Sequence, residues 1–234
     1  VNSLSNFYPP GGQNVGEIAN TIFQEVQIIP ANYAFIIWGL IYLGLMAYGV
    51  YQIQPSQRQD HRIRQTSRHL ITACIIQIGW IYLFTLKYFW FSVVAMLGIL
   101  AALIFAYQSL GIGRVAATRR RRWLAQIPFS IYLAWISVAT VVNVASALFY
   151  TGLQPSSPTW TVIMLLVGGA LAGGMMWRYQ DTAFALVFVW AYGAIAISQQ
   201  ANLTIVITAL SVAIGLIFYV VFSTVTRTRS PKNP

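Results

Sequence analysis

Seven stretches of the chain, residues 31–52, 70–86, 90–111, 125–150, 160–177, 182–198 and 203–225, are continuously apolar and carry no charge. A helix needs about 20 such residues to cross the hydrocarbon core of a bilayer. A membrane β-barrel would instead show alternating segments of about 10 residues. Lipid-embedded backbone must satisfy its own hydrogen bonds, which leaves helices for uninterrupted runs of this kind. The pattern predicts an all-α fold, a polytopic transmembrane helix bundle.

The polar connections alternate in charge. The first holds Arg58, Arg62, Arg64 and Arg68, the third Arg114 and Arg119 to Arg122, and the fifth Arg178; the tail holds Arg227, Arg229 and Lys232. The remaining connections hold Lys87 alone. Basic residues gather on the cytoplasmic side of a membrane protein. Seven alternating spans then put the basic loops and the C-terminus in the cytoplasm, and residues 1–30 on the opposite side. An outward segment beginning at Val1 suggests a further helix upstream, eight in all, with a cleaved signal peptide as the alternative.

Within that outer segment, Val15, Ile18, Ala19, Ile22, Phe23 and Val26 fall on one helical face. Asn14, three residues before Glu17, resembles a capping box, and Pro9, Pro10, Gly11 and Gly12 break the chain just ahead. A short amphipathic helix within residues 14–27 is expected, lying on the outer interface. It would act as a lid over a cavity or as filler at the bundle end.

Composition agrees. Only 8% of the 234 residues are charged and 58% are hydrophobic, against about 25% charged in soluble domains. The net charge of +10 could suggest a nucleic-acid partner, but its distribution follows topology. The run Arg119 to Arg122 reads as an anchor on anionic headgroups, so membrane lipids are expected as partners and nucleic acid is not. The single Cys74 excludes a disulfide framework and a cysteine-based metal centre.

Several chemistries lose their footing. Proton relays, ion-coupled transport and voltage sensing need ionisable groups inside the membrane, and the seven runs have none. His61 and His69 lie in the first basic connection and at the start of the second run. His69 could reach a porphyrin metal near the inner surface, and its alternative role is a polar interface residue. Glycine-rich phosphate loops, a nucleophile elbow and paired carboxylates are missing from the sequence. Neither catalysis nor a protein-held metal is expected.

Aromatic residues make up 15% of the chain. Trp90, Trp123, Trp160 and Trp177 fit interfacial belts, whereas Trp38, Trp80, Trp135 and Trp190 lie mid-span. A buried indole has an N–H to satisfy. Facing inward together, such rings would line a flat apolar pocket with a few donors; tight packing of bulky rings is the alternative. Gly168, Gly169, Gly173 and Gly174 allow a neighbouring helix to approach closely.

Two segments carry a family resemblance. The stretch Tyr132-Leu-Ala-Trp135-Ile-Ser-Val-Ala139-Thr140-Val-Val-Asn143 resembles the last core helix of the translocator protein family, also called TspO/MBR or tryptophan-rich sensory protein. Pro30-Ala-Asn-Tyr33-Ala-Phe35-Ile-Ile-Trp38-Gly-Leu-Ile-Tyr42 resembles its earlier signature, Pro-Pro-x-Trp-x-Phe followed by Trp-x-x-x-Tyr. Here one proline is replaced, Tyr33 stands for a Trp, and the Phe35-to-Trp38 interval is one residue shorter. In place of the family's Gln-x-x-x-Asn-x-x-Trp, Gln77 is followed by Ile81 and Phe84, with a displaced Trp80.

The resemblance implies three parts: an outward segment 1–30, a TspO-like core 31–150 holding four of five family helices, and a three-helix extension 151–234 with a basic tail. It also implies a pocket for a tetrapyrrole (porphyrin, haem or chlorophyll) or another hydrophobic ligand such as a sterol, used for sensing or trafficking. That pocket would draw on Tyr33, Phe35, Trp38 and Tyr42, on Gln77 and Trp80, and on Trp135, Ala139 and Asn143. Long members are similar to forms from oxygenic phototrophs, which points to a bacterial inner or thylakoid membrane. A rival reading is a non-catalytic accessory subunit of a photosystem or antenna complex, holding chlorophyll, carotenoid or lipid. Homodimerisation, or docking to such a photosynthetic membrane complex, is the expected association.

Overall fold

Every apolar run becomes a helix. The computed structural model describes residues 8–153 and 157–229, and among these it contains helices and turns but no strand. Their order is α1 (Val15–Thr21), α2 (Ile37–Gln52), α3 (His61–Thr85), α4 (Phe89–Leu110), α5 (Ile127–Tyr150), α6 (Pro158–Tyr179), α7 (Thr182–Ser198) and α8 (Leu203–Arg229). A five-residue 3-10 turn, Asn32–Ile36, leads into α2, and a π-helical turn, Arg122–Gln126, leads into α5. Six of the helical segments are long and apolar enough to cross a membrane; α7, with 17 residues, is shorter. At a rise of about 1.5 Å per residue, α7 reaches about 26 Å, close to the lower limit for a span.

Between helices in lipid there is little hydrophobic drive, so close packing and polar contacts hold the bundle. α5 is the hub. It packs on α4, α2 and α7, and Ala134, Ala147 and Ser130 on it are buried. The α6–α8 group joins the rest chiefly through α7, where Trp190 Nε1 donates to Ala34 O at 3.0 Å and Ala31 N donates to Ala194 O at 3.1 Å. Gly168 and Gly169 are buried at close crossings: a Cβ on them would lie 2.4 Å from Tyr192 Oη and 2.4 Å from Val212 Cγ1 respectively. A Cβ on Gly173 or Gly174 would meet nothing within 4 Å. Among the described residues, only the first pair of the glycine run therefore serves helix contact inside this chain.

The basic connections gather at one end. Arg121 Nη1 pairs with Asp60 Oδ2 at 2.8 Å, tying the α2–α3 connection to the turn before α5. The two-residue link Gln180–Asp181 lies at the same end. Tyr107 and Ser130 donate to Asp181 Oδ2 at 2.8 and 2.6 Å, and Phe184 N donates to its Oδ1 at 3.0 Å. One buried carboxylate thereby braces α4, α5 and α7. Lys232 and part of the connection after α5 fall outside the described residues.

The outer segment differs from its expected form. Asn14 and Glu17 close the capping box, with Asn14 Oδ1 accepting from Glu17 N at 2.9 Å and Glu17 Oε2 accepting from Asn14 N at 2.8 Å. The helix ends at Thr21, however, rather than continuing through residue 27. Short-range turns follow, with Val26 N bonding to Phe23 O and Ile29 N to Val26 O. The reason is packing: Phe23 is buried against Phe84, Phe89 and Phe149, with ring centroids 6.2, 4.9 and 6.2 Å away. The segment plugs into the bundle rather than resting on its interface.

Candidate functional site

Near the basic end, Tyr48 of α2 hydrogen bonds with Ser67 of α3 at 2.9 Å, and Ser67 donates to Gln52 Oε1 at 2.5 Å. Toward the other end a cavity of about 460 Å³ lies between these helices and α5. Its size falls within the roughly 300–1,000 Å³ of small-molecule sites. Asn14, Val15, Glu17 and Asn20 line it from α1. The capped helix therefore forms a roof over the cavity.

Eight of the nine residues expected in the pocket line this one space: Phe35, Trp38, Tyr42, Gln77, Trp80, Trp135, Ala139 and Asn143. Tyr33 does not. It stands edge-on to Trp190, with centroids 5.3 Å apart, on the side of the bundle facing α7. The cause is the 3-10 turn. At about three residues per turn, Tyr33 and Phe35 are separated by about 240°, so one faces α7 while the other faces the cavity. Trp190 accordingly lies outside the cavity, while Trp38, Trp80 and Trp135 share it.

The rings brace one another. Trp38 stacks on Tyr42 at 5.7 Å and meets Tyr132 edge-on at 6.1 Å, and Phe35 meets Trp135 edge-on at 5.9 Å. Asn143 is committed to its neighbours: Oδ1 accepts from Trp80 Nε1 at 2.7 Å and Nδ2 donates to Ser92 Oγ at 2.9 Å. Gln77 Oε1 accepts from the Tyr132 hydroxyl. The amide NH₂ of Gln77 and the indole N–H groups of Trp38 and Trp135 have no protein acceptor among the described residues. Buried indoles ordinarily find one.

The electrostatics are one-sided. Among the described residues, Glu17 on the roof is the only carboxylate in the lining, and no Lys, Arg or His lines the cavity. His69 lies elsewhere, against Phe105 of α4 with centroids 5.7 Å apart. Among the described residues no group of three or more His, Cys, Asp or Glu could hold a metal ion. The polar lining that sequence reasoning missed comes mostly from α1, where Asn14 and Asn20 face a space whose walls belong to helices far away in sequence.

A bundle of long apolar helices with a roofed aromatic cavity among them defines an integral, multi-pass membrane protein. A family model described as TSPO-like protein matches residues 1–222; the chain belongs to that family. The match runs through α6, α7 and most of α8, well past the segments that carry the two signatures. No curated protein and no solved structure matches the chain.

Proposed function

We propose that the chain binds a flat hydrophobic ligand of tetrapyrrole type in the roofed cavity, for sensing or trafficking rather than catalysis. The observation that carries this reading is the lining itself: Trp38, Trp135 and Gln77, whose side-chain N–H groups meet no acceptor among the described residues, all border one space walled by aromatics. A ring system with acceptor atoms would stack on Trp38 and Phe35 and take up those donors. Ala139 on α5 leaves room for it.

The lining also narrows the ligand. A carboxylate buried without a partner is costly, and the described lining supplies no cation. The edge inside the cavity is therefore uncharged, and any propionate-like groups lie toward the α1 roof or are esterified. An inward cavity between Trp38 and Trp135, together with Gly169 seated on Val212 of the same chain, supports the binding reading over the accessory-subunit one. By the distribution of basic residues, the Asp60–Arg121 end faces the cytoplasm and α1 the opposite side.

The test is a titration of the purified chain with protoporphyrin and with its dimethyl ester, followed by quenching of tryptophan fluorescence. The ester should bind at least as tightly as the free acid. Trp38→Ala and Ala139→Phe should each weaken binding, Trp38→Ala by up to about tenfold for one lost stacking contact. Unchanged affinity in both variants would remove the assignment.

A further inference from the structure

A larger opening lies on the other side of α5. It occupies about 1230 Å³ between α2, α5 and α7 and is independent of the roofed cavity. Its helix walls are apolar, with Ile37, Leu40, Ile131, Leu186 and Val187 among them, Leu40 and Leu186 being exposed. Trp190 closes the far end through its bond to Ala34. At the basic end the chemistry changes, and the mouth is formed by Arg119, Arg122, Trp123 and Gln126.

Two features of that mouth point to a ligand. Arg119 and Arg122 are three residues apart in continuous helix, so their side chains share a face. Neither guanidinium has a hydrogen bond or ion pair among the described residues, whereas Arg121 between them pairs with Asp60 through Nη1 while its buried Nη2 has no partner there. The π-helical turn Arg122–Gln126 then supplies three of the four mouth residues, and such turns recur at functional sites. Asp181 also lines the cleft, but three donors from Tyr107, Ser130 and Phe184 already occupy its oxygens. The uncommitted charge at the mouth is positive.

We propose that this cleft holds one anionic phospholipid from the leaflet at the basic end. The phosphate sits on Arg119 and Arg122, and an acyl chain runs along α7 toward Trp190. From Thr182 to Trp190 is eight residues, about 12 Å of helix, most of the roughly 15 Å depth of one leaflet's hydrocarbon. Trp123 stands at headgroup level, where indoles concentrate. Basic pockets between membrane helices hold acidic headgroups in this way. A neutral lipid would fill the apolar walls and leave both arginines unused; a free phosphate would do the reverse.

Native mass spectrometry of the full chain, mixed with micelles containing phosphatidylglycerol or phosphatidylcholine, tests this. One phosphatidylglycerol should remain bound in preference to phosphatidylcholine. The double variant Arg119→Gln/Arg122→Gln should lower its retention about thirtyfold, taking each cation as worth a headgroup contact. Leu186→Trp, which fills the cleft without altering charge, should lower it too, so misfolding of one variant leaves the other decisive. Equal retention of the two lipids, or retention unaltered in both variants, would overturn the proposal. So would competition by glycerol phosphate as effective as by the lipid, which would indicate a simple anion site. A disulfide cross-link between two copies of an Ala183→Cys variant that also carries Cys74→Ser would put a second chain in the cleft and overturn the proposal.

Discussion

Trp80 of α3 donates its indole N–H to Asn143 of α5 at 2.7 Å, across the wall of the roofed cavity. Asn143 is 2% exposed and passes the contact on to Ser92 of α4. Three helices thus meet at one amide. The displaced Trp80 of the sequence finds its partner here, and the asparagine of the last signature acts as a clamp that holds the cavity wall in shape.

Asn143→Leu should therefore destabilise the bundle. It strands the Trp80 N–H, at a cost of about 1–3 kcal/mol for the unmet group, while the Ser92 hydroxyl keeps its bond to Phe89 O. Thermal unfolding in detergent should show a lower midpoint, and ligand affinity should fall with it. An unchanged midpoint would mean that the contact contributes nothing.

The roof should be separable from the bundle. Asn14→Ala removes the cap of α1 and should cost that helix about 1 kcal/mol. Global unfolding should barely move, because α1 packs lightly on the longer helices, chiefly on α3. Ligand dissociation should quicken, as followed by stopped-flow quenching. Equal off-rates in the two proteins would show that α1 only fills space.

The glycines on α6 divide into two groups. Gly168→Ala drives a methyl into the Tyr192 hydroxyl, which is held by a 2.6 Å bond to Leu165 O. A loss of about 1–3 kcal/mol is expected for such overpacking. Gly173→Ala meets open space and should be neutral or stabilising by up to about 1 kcal/mol. Matching unfolding midpoints for the two variants would contradict the packing described for this helix.

Strong acid should weaken the basic end. Partial burial pushes the Asp60 carboxyl up, but the N–H groups of Arg62 and Ile63 and the Arg121 guanidinium outweigh it and hold the group below its ordinary range. Its contribution is complete above the unfolded carboxylate value of about 3.9 and is lost as pH falls through the folded value. For a partly exposed pair it amounts to less than about 1 kcal/mol. Asp60→Asn should remove that acid-side increment, read as a flatter midpoint-against-pH curve below about pH 4.

The helices were legible because each buries in lipid or in its neighbours, so hydropathy alone marks them. Their ends were less so. α3 begins at His61 rather than near residue 70, since Arg62, Arg64 and Arg68 continue the helix beyond the apolar layer, where hydropathy carries no signal. Asp60, capping the N–H groups of Arg62 and Ile63, was the available sign. The cavity was readable through the two family signatures, which brought Trp38, Trp135 and Ala139 together. Tyr33 lies outside this cavity, which spacing could not show because it does not reveal a 3-10 turn. Asp181 drew no attention in a two-residue link; its burial depends on Tyr107 and Ser130, distant in sequence, although an aspartate just ahead of a helix start is a capping sign.

The most direct measurement is purification of the chain from its native membrane in mild detergent, alongside Ala139→Phe, with absorption spectra and mass spectrometry of whatever small molecule accompanies each. A flat hydrophobic ligand near one per chain, present in the parent and missing from a folded Ala139→Phe protein, is the predicted result. The same ligand content in both proteins, or a parent that carries none, would contradict the assignment of the cavity as the binding site.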